Sequence, residues 1–105
     1  MSDTNWLVSV DNGEEYSDHS TTPVAVCSTG EEAKRLEARI NEWIALYCQA
    51  ADGARGYVEE RERADAFLKA TPWPLGGSAP GDAVPWSSYS RPKAWVVALP
   101  TWSQP

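Results

Sequence analysis

His19 is the only histidine of the chain, and it lies between Asp18 and Ser20. These three residue types could together perform acid–base or nucleophilic chemistry. A serine, a histidine and a carboxylate can act together as nucleophile, general base and orienting group in acyl transfer. Neighbours along one loop, however, rarely turn their side chains towards each other, and a zinc site needs more ligands than one histidine and scattered carboxylates. We therefore expect a surface-loop histidine, with no catalytic residues, no metal and no cofactor. A small hydrolytic enzyme is the least favoured interpretation.

A second group of residues has the composition of a protein-binding surface. Tyr16 is surrounded by acidic residues, and the chain contains six tryptophans, a residue type enriched at protein interfaces. A solvated hairpin loop is the alternative explanation for the acidic residues. The predicted contacts to a partner protein are Glu14, Glu15, Tyr16, Asp18, Trp86 and Trp102.

A third group combines cationic and aromatic side chains, which suits a small anionic ligand. Arg55 and Arg91 offer guanidinium groups, and Tyr89 offers a ring for stacking. Placed in a pocket between subunits, these residues predict sequestration of a nucleotide as an alternative function.

The negative charge of the chain is concentrated in its first third. The net charge is −6, and residues 1–32 contain seven acidic residues but no lysine or arginine. Such a surface repels the phosphates of nucleic acids and would suit a basic protein surface instead. Direct DNA or RNA binding is therefore disfavoured.

The sequence lacks the features of a membrane or secreted protein. Its longest apolar run, residues 94–99, is far shorter than the roughly 20 residues of a spanning helix. The first residues have neither the basic region nor the apolar stretch of a secretion signal. Cys27 and Cys48 lack metal-type spacing, and we interpret them as small buried residues. These features predict a cytoplasmic protein that does not bind membranes.

The longest predicted element is a helix over residues 28–51. Two overlapping capping-box patterns, Ser28 with Glu31 and Thr29 with Glu32, mark its start. An apolar stripe with helical spacing follows, formed by Ala33, Leu36, Ile40, Trp43, Tyr47 and Ala50.

Shorter elements flank this helix. Residues 6–10, 24–27 and 93–99 have the composition of strands, and residues 57–70 predict a second helix after a short connection. The order predicts an α+β fold with two layers, β-β-α-α-β. In it a small, mainly antiparallel three-stranded sheet is covered on one face by an antiparallel helical hairpin.

The segment between the second helix and the last strand is unusual. Residues 72–92 hold five of the eight prolines together with several aromatic residues, so they cannot form a helix or a central strand. We predict an ordered loop that wraps the core of one domain, residues 1–105.

Two expectations concern burial. The large strand residues are expected to share the face under the helices: Trp6, Val8, Val10, Val24, Val26, Trp95, Val97 and Leu99. The roughly 22 helical residues that follow the cap span about 33 Å, whereas six strand residues span about 20 Å. The helix thus outruns the sheet, and Trp43, Ile44 and Tyr47 need cover from the proline-rich segment or from a second copy in a homodimer.

The N-terminal part of the chain resembles a known group of proteins. The run WLVSV, then EEYSD, then VAVCSTGEEAKRL is similar to small accessory proteins of bacteriophages, particularly those of actinobacteria, over residues 6–36. The resemblance implies a non-enzymatic protein of host cytoplasm that binds and blocks a host or defence protein, as in counter-defence. Sequestration of a nucleotide signal is the alternative that it implies.

Overall fold

The computed structural model describes residues 4–14, 19–84 and 91–100. Its elements are, in chain order, strands β1 (Thr4–Asp11) and β2 (Thr21–Cys27), helices α1 (Gly30–Ala51) and α2 (Tyr57–Ala70), a 3₁₀ turn (Gly81–Ala83) and strand β3 (Lys93–Pro100). The predicted α+β fold with the order β-β-α-α-β is confirmed.

The three strands form one sheet in the order β2-β1-β3, and both pairings are antiparallel. The central strand β1 pairs with β3 along its whole length, from Thr4 opposite Pro100 to Asp11 opposite Lys93. Its pairing with β2 is interrupted by a bulge at Val24. Pro23 is tolerated in β2 because an edge strand has one side without ladder hydrogen bonds.

Helix α1 begins at Gly30, directly after the cap position of the second predicted capping box. Thr29 is its N-cap, and the Thr29 hydroxyl accepts a hydrogen bond of 3.1 Å from the backbone N–H of Glu32. The helix ends at Ala51, where the N–H of Asp52 donates to the Cys48 carbonyl. The buried side chains of the helix form the predicted stripe: Ala33, Ile40, Trp43, Ile44 and Tyr47.

The overhanging end of α1 is buried by the same chain. The Trp43 ring meets Phe67 of α2 at a centroid distance of 5.4 Å and Trp73 of the proline-rich segment at 5.0 Å, both edge-on. The Trp43 indole N–H donates to the Thr71 carbonyl. Ala83 is also fully buried, so the described part of the proline-rich segment lies against the core, as expected of a wrap.

The expectation that all large strand residues face the helices is wrong. Directly opposite residues of an antiparallel pair share a face, and the register sets Val8 opposite Val96 and Val10 opposite Ala94. The large β3 residues Trp95, Val97 and Leu99, together with Val26, therefore lie on the other face. Hydrophobicity alone cannot fix this choice, since a shift of one residue exchanges the faces.

The cysteines lie too far apart to form a disulfide. Both are free and half-buried. Cys27 precedes the first turn of α1 and Cys48 lies in its last turns, a separation of roughly 27 Å along the helix axis.

Gly13 is the glycine that the fold constrains most. Its φ is 76°, and an added Cβ would overlap the backbone of Arg91. Gly76 has a similar φ of 82° with nothing close to an added Cβ. We predict that Gly76→Ala lowers the free energy of unfolding by about 1 kcal/mol, whereas Gly13→Ala lowers it by about 2 kcal/mol more through overlap. Urea denaturation midpoints compare the two variants, and equal losses would contradict the close approach.

Candidate functional site

The sheet presents a broad apolar surface on the side away from α1. Its residues come from all three strands and are named here the open face: Leu7, Val26, Trp95, Val97 and Leu99. Leu7 lies opposite both Val26 and Val97, so the side chains are contiguous across the sheet.

The open face is accessible among the residues that the structure describes. The relative exposure is 65% for Val26, 39% for Trp95 and 40% for Leu99. Single exposed apolar residues are ordinary, but a contiguous group of them is typical of an interaction surface. Along β3, Ala94 is fully buried on the helix side, while its larger neighbour Trp95 is exposed on the open face.

A network of polar groups orders the β1–β2 connection at one end of the sheet. The Asp11 carboxylate lies 2.5 Å from the His19 ring and accepts a hydrogen bond from the Gly13 N–H. The Asn12 side-chain oxygen accepts from the N–H groups of Glu14 and Ser20. Glu14 is thus held beside the strand end, and it belongs to the predicted acidic contact surface.

The pKa of Asp11 reflects this network. Partial burial raises the pKa of the carboxyl, but the hydrogen bonds from His19 and Gly13 outweigh burial and leave the pKa below its ordinary value of 3.8. The ionised form of Asp11 therefore stabilises the fold.

The proline-rich segment contributes a carboxylate, Asp82, that no pattern in the sequence distinguishes. Asp82 accepts a hydrogen bond of 2.8 Å from the Ser20 hydroxyl and another from the Thr22 hydroxyl. Because the hydroxyl of Ser20 is directed to Asp82, while His19 is paired with Asp11, the described residues do not align serine, histidine and carboxylate in a relay. Within the same residues no cluster of ligands suits a metal ion.

The other predicted partner contacts cannot be placed. Glu15, Tyr16, Asp18, Trp86 and Trp102 lie outside the described residues, as does Tyr89 of the predicted ligand site. Their roles stay predictions.

A cleft of about 670 Å³ lies between the end of α1 and helix α2. Arg91, one residue of the predicted ligand site between subunits, lines this cleft within one chain. Arg55 is not among the lining residues, and its backbone N–H donates to Glu59. The charged and aromatic residues of the lining are Tyr47, Asp52, Tyr57, Glu60, Arg61, Asp65 and Arg91.

The electrostatic character of the cleft is mixed. Burial raises the pKa of the Tyr47 hydroxyl, and the nearby carboxylates of Asp65 and Glu60 raise it further. Burial also raises the pKa of the Cys48 thiol, against the opposing effect of Arg91. Acidic and basic groups thus face the same space.

No helix among the described residues has the length and apolarity needed to cross a bilayer.

The Asp11 network predicts a pH dependence of stability. Because the folded pKa is below the unfolded one, the contribution of the ionised carboxylate is complete above pH 3.8 and is lost as the pH falls through the folded pKa. Asp11→Asn should cost about 1 kcal/mol at neutral pH, and its difference from the unsubstituted chain should shrink in acid. Thermal unfolding across the acid range measures this. The prediction would be contradicted if the loss of stability in Asp11→Asn did not depend on pH. It would also be contradicted if Glu62→Gln, on the exposed surface of α2, lowered the stability equally.

Comparison with known proteins identifies no relative: no protein-family model, no curated protein and no solved structure matches this chain.

Proposed function

We propose that this chain is a small non-enzymatic binding protein that blocks a partner protein by covering part of its surface. The open face carries the proposal, because it exposes Val26 of β2 and both Trp95 and Leu99 of β3, on either side of the half-buried Leu7 of β1. A rigid sheet supports them, so few side chains need to be ordered on binding, and the entropic cost of ordering them is small.

The partner surface that fits is an apolar patch bordered by lysine or arginine. Strands β1 and β2 both belong to residues 1–32, which contain seven acidic residues and no basic ones. Glu14 and Asp11 lie at the end of these strands, next to the open face. A basic border on the partner would be attracted to this end, and the attraction would weaken with salt.

The resemblance of residues 6–36 to accessory proteins of actinobacterial phages supports a host or defence protein as the target. Such proteins act in the host cytoplasm, where they would meet it. Occlusion of the target needs only affinity and position, which a chain of 105 residues with one open face can provide.

The test compares two lysine substitutions of exposed apolar residues, one on the open face and one away from it. A target is first isolated with photo-crosslinkers placed on the open face. The affinity of this chain for the purified target is then measured by calorimetry. Val26→Lys should weaken binding by about tenfold or more, because a charge would be buried in the interface. Leu46→Lys on α1, which is 45% exposed, should leave binding unchanged. Equal affinities of Val26→Lys and the unsubstituted chain would overturn the proposal.

The cleft favours a second candidate function, sequestration of a nucleotide. Its volume of about 670 Å³ lies within the usual range of small-molecule sites. Arg61 and Arg91 could bind phosphate, and Tyr57 could stack on a base. Glu60 and Asp65 reduce the attraction for an anion, which ranks this function second.

A thermal-shift series with cyclic nucleotides tests the second candidate. A ligand at a hundred times its Kd should stabilise the fold by about 2.7 kcal/mol. Arg61→Ala and Arg91→Ala should abolish the shift, while Arg55→Ala, outside the cleft lining, should retain it. The absence of a shift with every nucleotide would remove this function.

A further inference from the structure

The outer edge of β3 is partly filled by a side chain of α1. The Asn41 amide accepts a hydrogen bond of 2.8 Å from the Ala94 N–H and donates one of 3.3 Å to the Ala94 carbonyl. A neighbouring strand would make the same pair of bonds. The backbone groups of Ala94 therefore point away from β1, and Asn41 satisfies them.

This contact fixes which other groups of β3 point outwards. Residues alternate in an antiparallel strand, so Val96 and Ala98 also direct their N–H and C=O groups away from β1. Beyond them Pro100 has no N–H. In the described part of the chain no strand lies on that side of β3. Val96 and Ala98 thus offer four backbone groups for pairing, and the Pro100 carbonyl lies beyond them.

We propose that β3 pairs with β3 of a second copy of this chain, antiparallel and around a two-fold axis at Val97. Val96 of each copy would lie opposite Ala98 of the other copy. Each such pair exchanges two N–H···O bonds, so the four open groups of each copy are satisfied together. The interface is isologous, as two-fold symmetry requires.

Asn41 selects this register over its neighbours. Centred on Val96, the pairing would oppose Ala98 to Ala94, whose groups are already bonded to Asn41. Centred on Ala98, it would oppose Val96 to Pro100, which has no N–H for the Val96 carbonyl. Of the three registers, only the pairing centred on Val97 gives each of the four groups a hydrogen-bond partner.

The side chains also favour a second copy over an unrelated peptide. On the open face, Trp95 would lie opposite Leu99 of the second copy, and Val97 opposite Val97. Such aromatic and β-branched cross-strand pairs stabilise sheets. Lys93 lies outside the paired residues, so like charges do not meet.

The outer edge of β2 is protected against pairing with a further strand, whereas the outer edge of β3 is not. Strand β2 carries Pro23 and a bulge at Val24, two devices that prevent edge pairing. Strand β3 has no charge or proline between Lys93 and Pro100. The product would be a six-stranded sheet with a doubled open face. This pairing does not depend on the proposed function, since it needs no other partner.

The axis at Val97 permits a charge-complementation test by sedimentation velocity over a concentration series. The unsubstituted chain should shift from 11.5 kDa to twice that mass. Val97→Lys and Val97→Glu should each stay monomeric, because two like charges would meet on the axis. Their equal mixture should dimerise about tenfold or more tightly than either alone. The matched pair Val26→Lys and Val26→Glu, on the same face but far from the axis, should dimerise as the unsubstituted chain does.

A backbone variant covers the case in which the Val97 variants fail to fold. Ala98→Pro removes one outward N–H and leaves the β1–β3 bonds untouched, so it should remain folded by circular dichroism and be monomeric. An unsubstituted chain that stays monomeric throughout, a mixture that does not dimerise, or an Ala98→Pro dimer would each overturn the proposal. Loss of target binding with intact dimerisation, expected of Val26→Lys, separates this interface from the proposed function.

Discussion

The register between β1 and β3 is the constraint on which the rest of the structure depends. It sets Ala94 and Val96 beneath α1 and turns Trp95 outwards. Small side chains at the helix-facing positions let α1 come close enough for Asn41 to reach the backbone of β3. The core and the open face are therefore two results of one pairing, and neither could change without the other.

Local patterns predicted the elements well, because their causes are local. The spacing of apolar residues and the cap at Thr29 define α1, and the residues of α2 match the predicted range. The face that each strand buries could not be predicted, since it depends on a pairing between residues more than 80 positions apart, such as Val8 and Val96. Both candidate faces of β3 are apolar, so hydrophobicity did not distinguish them.

The candidate site was predictable only in part for the same reason. Arg91 was selected by residue type and does line the cleft. Asp82 has no sequence signal, because its partners Ser20 and Thr22 lie about 60 residues away in the chain. Four residues of the open face, Val26, Trp95, Val97 and Leu99, are expected from the sequence to face the helices, where large apolar side chains usually belong. The proposed binding surface depends on their exposure.

The position of β3 in the sequence also has a kinetic consequence. The central strand β1 can pair with β2 as soon as the first 27 residues are available, but its other side must wait for residues 93–100. Contacts of such high sequence separation form slowly, because a long loop must close first. During that interval β1 has an unpaired edge, and α1 lacks part of the sheet surface against which it packs. An intermediate of this kind is prone to capture by strands of other molecules. A low protein concentration or a bound partner would therefore favour rapid folding.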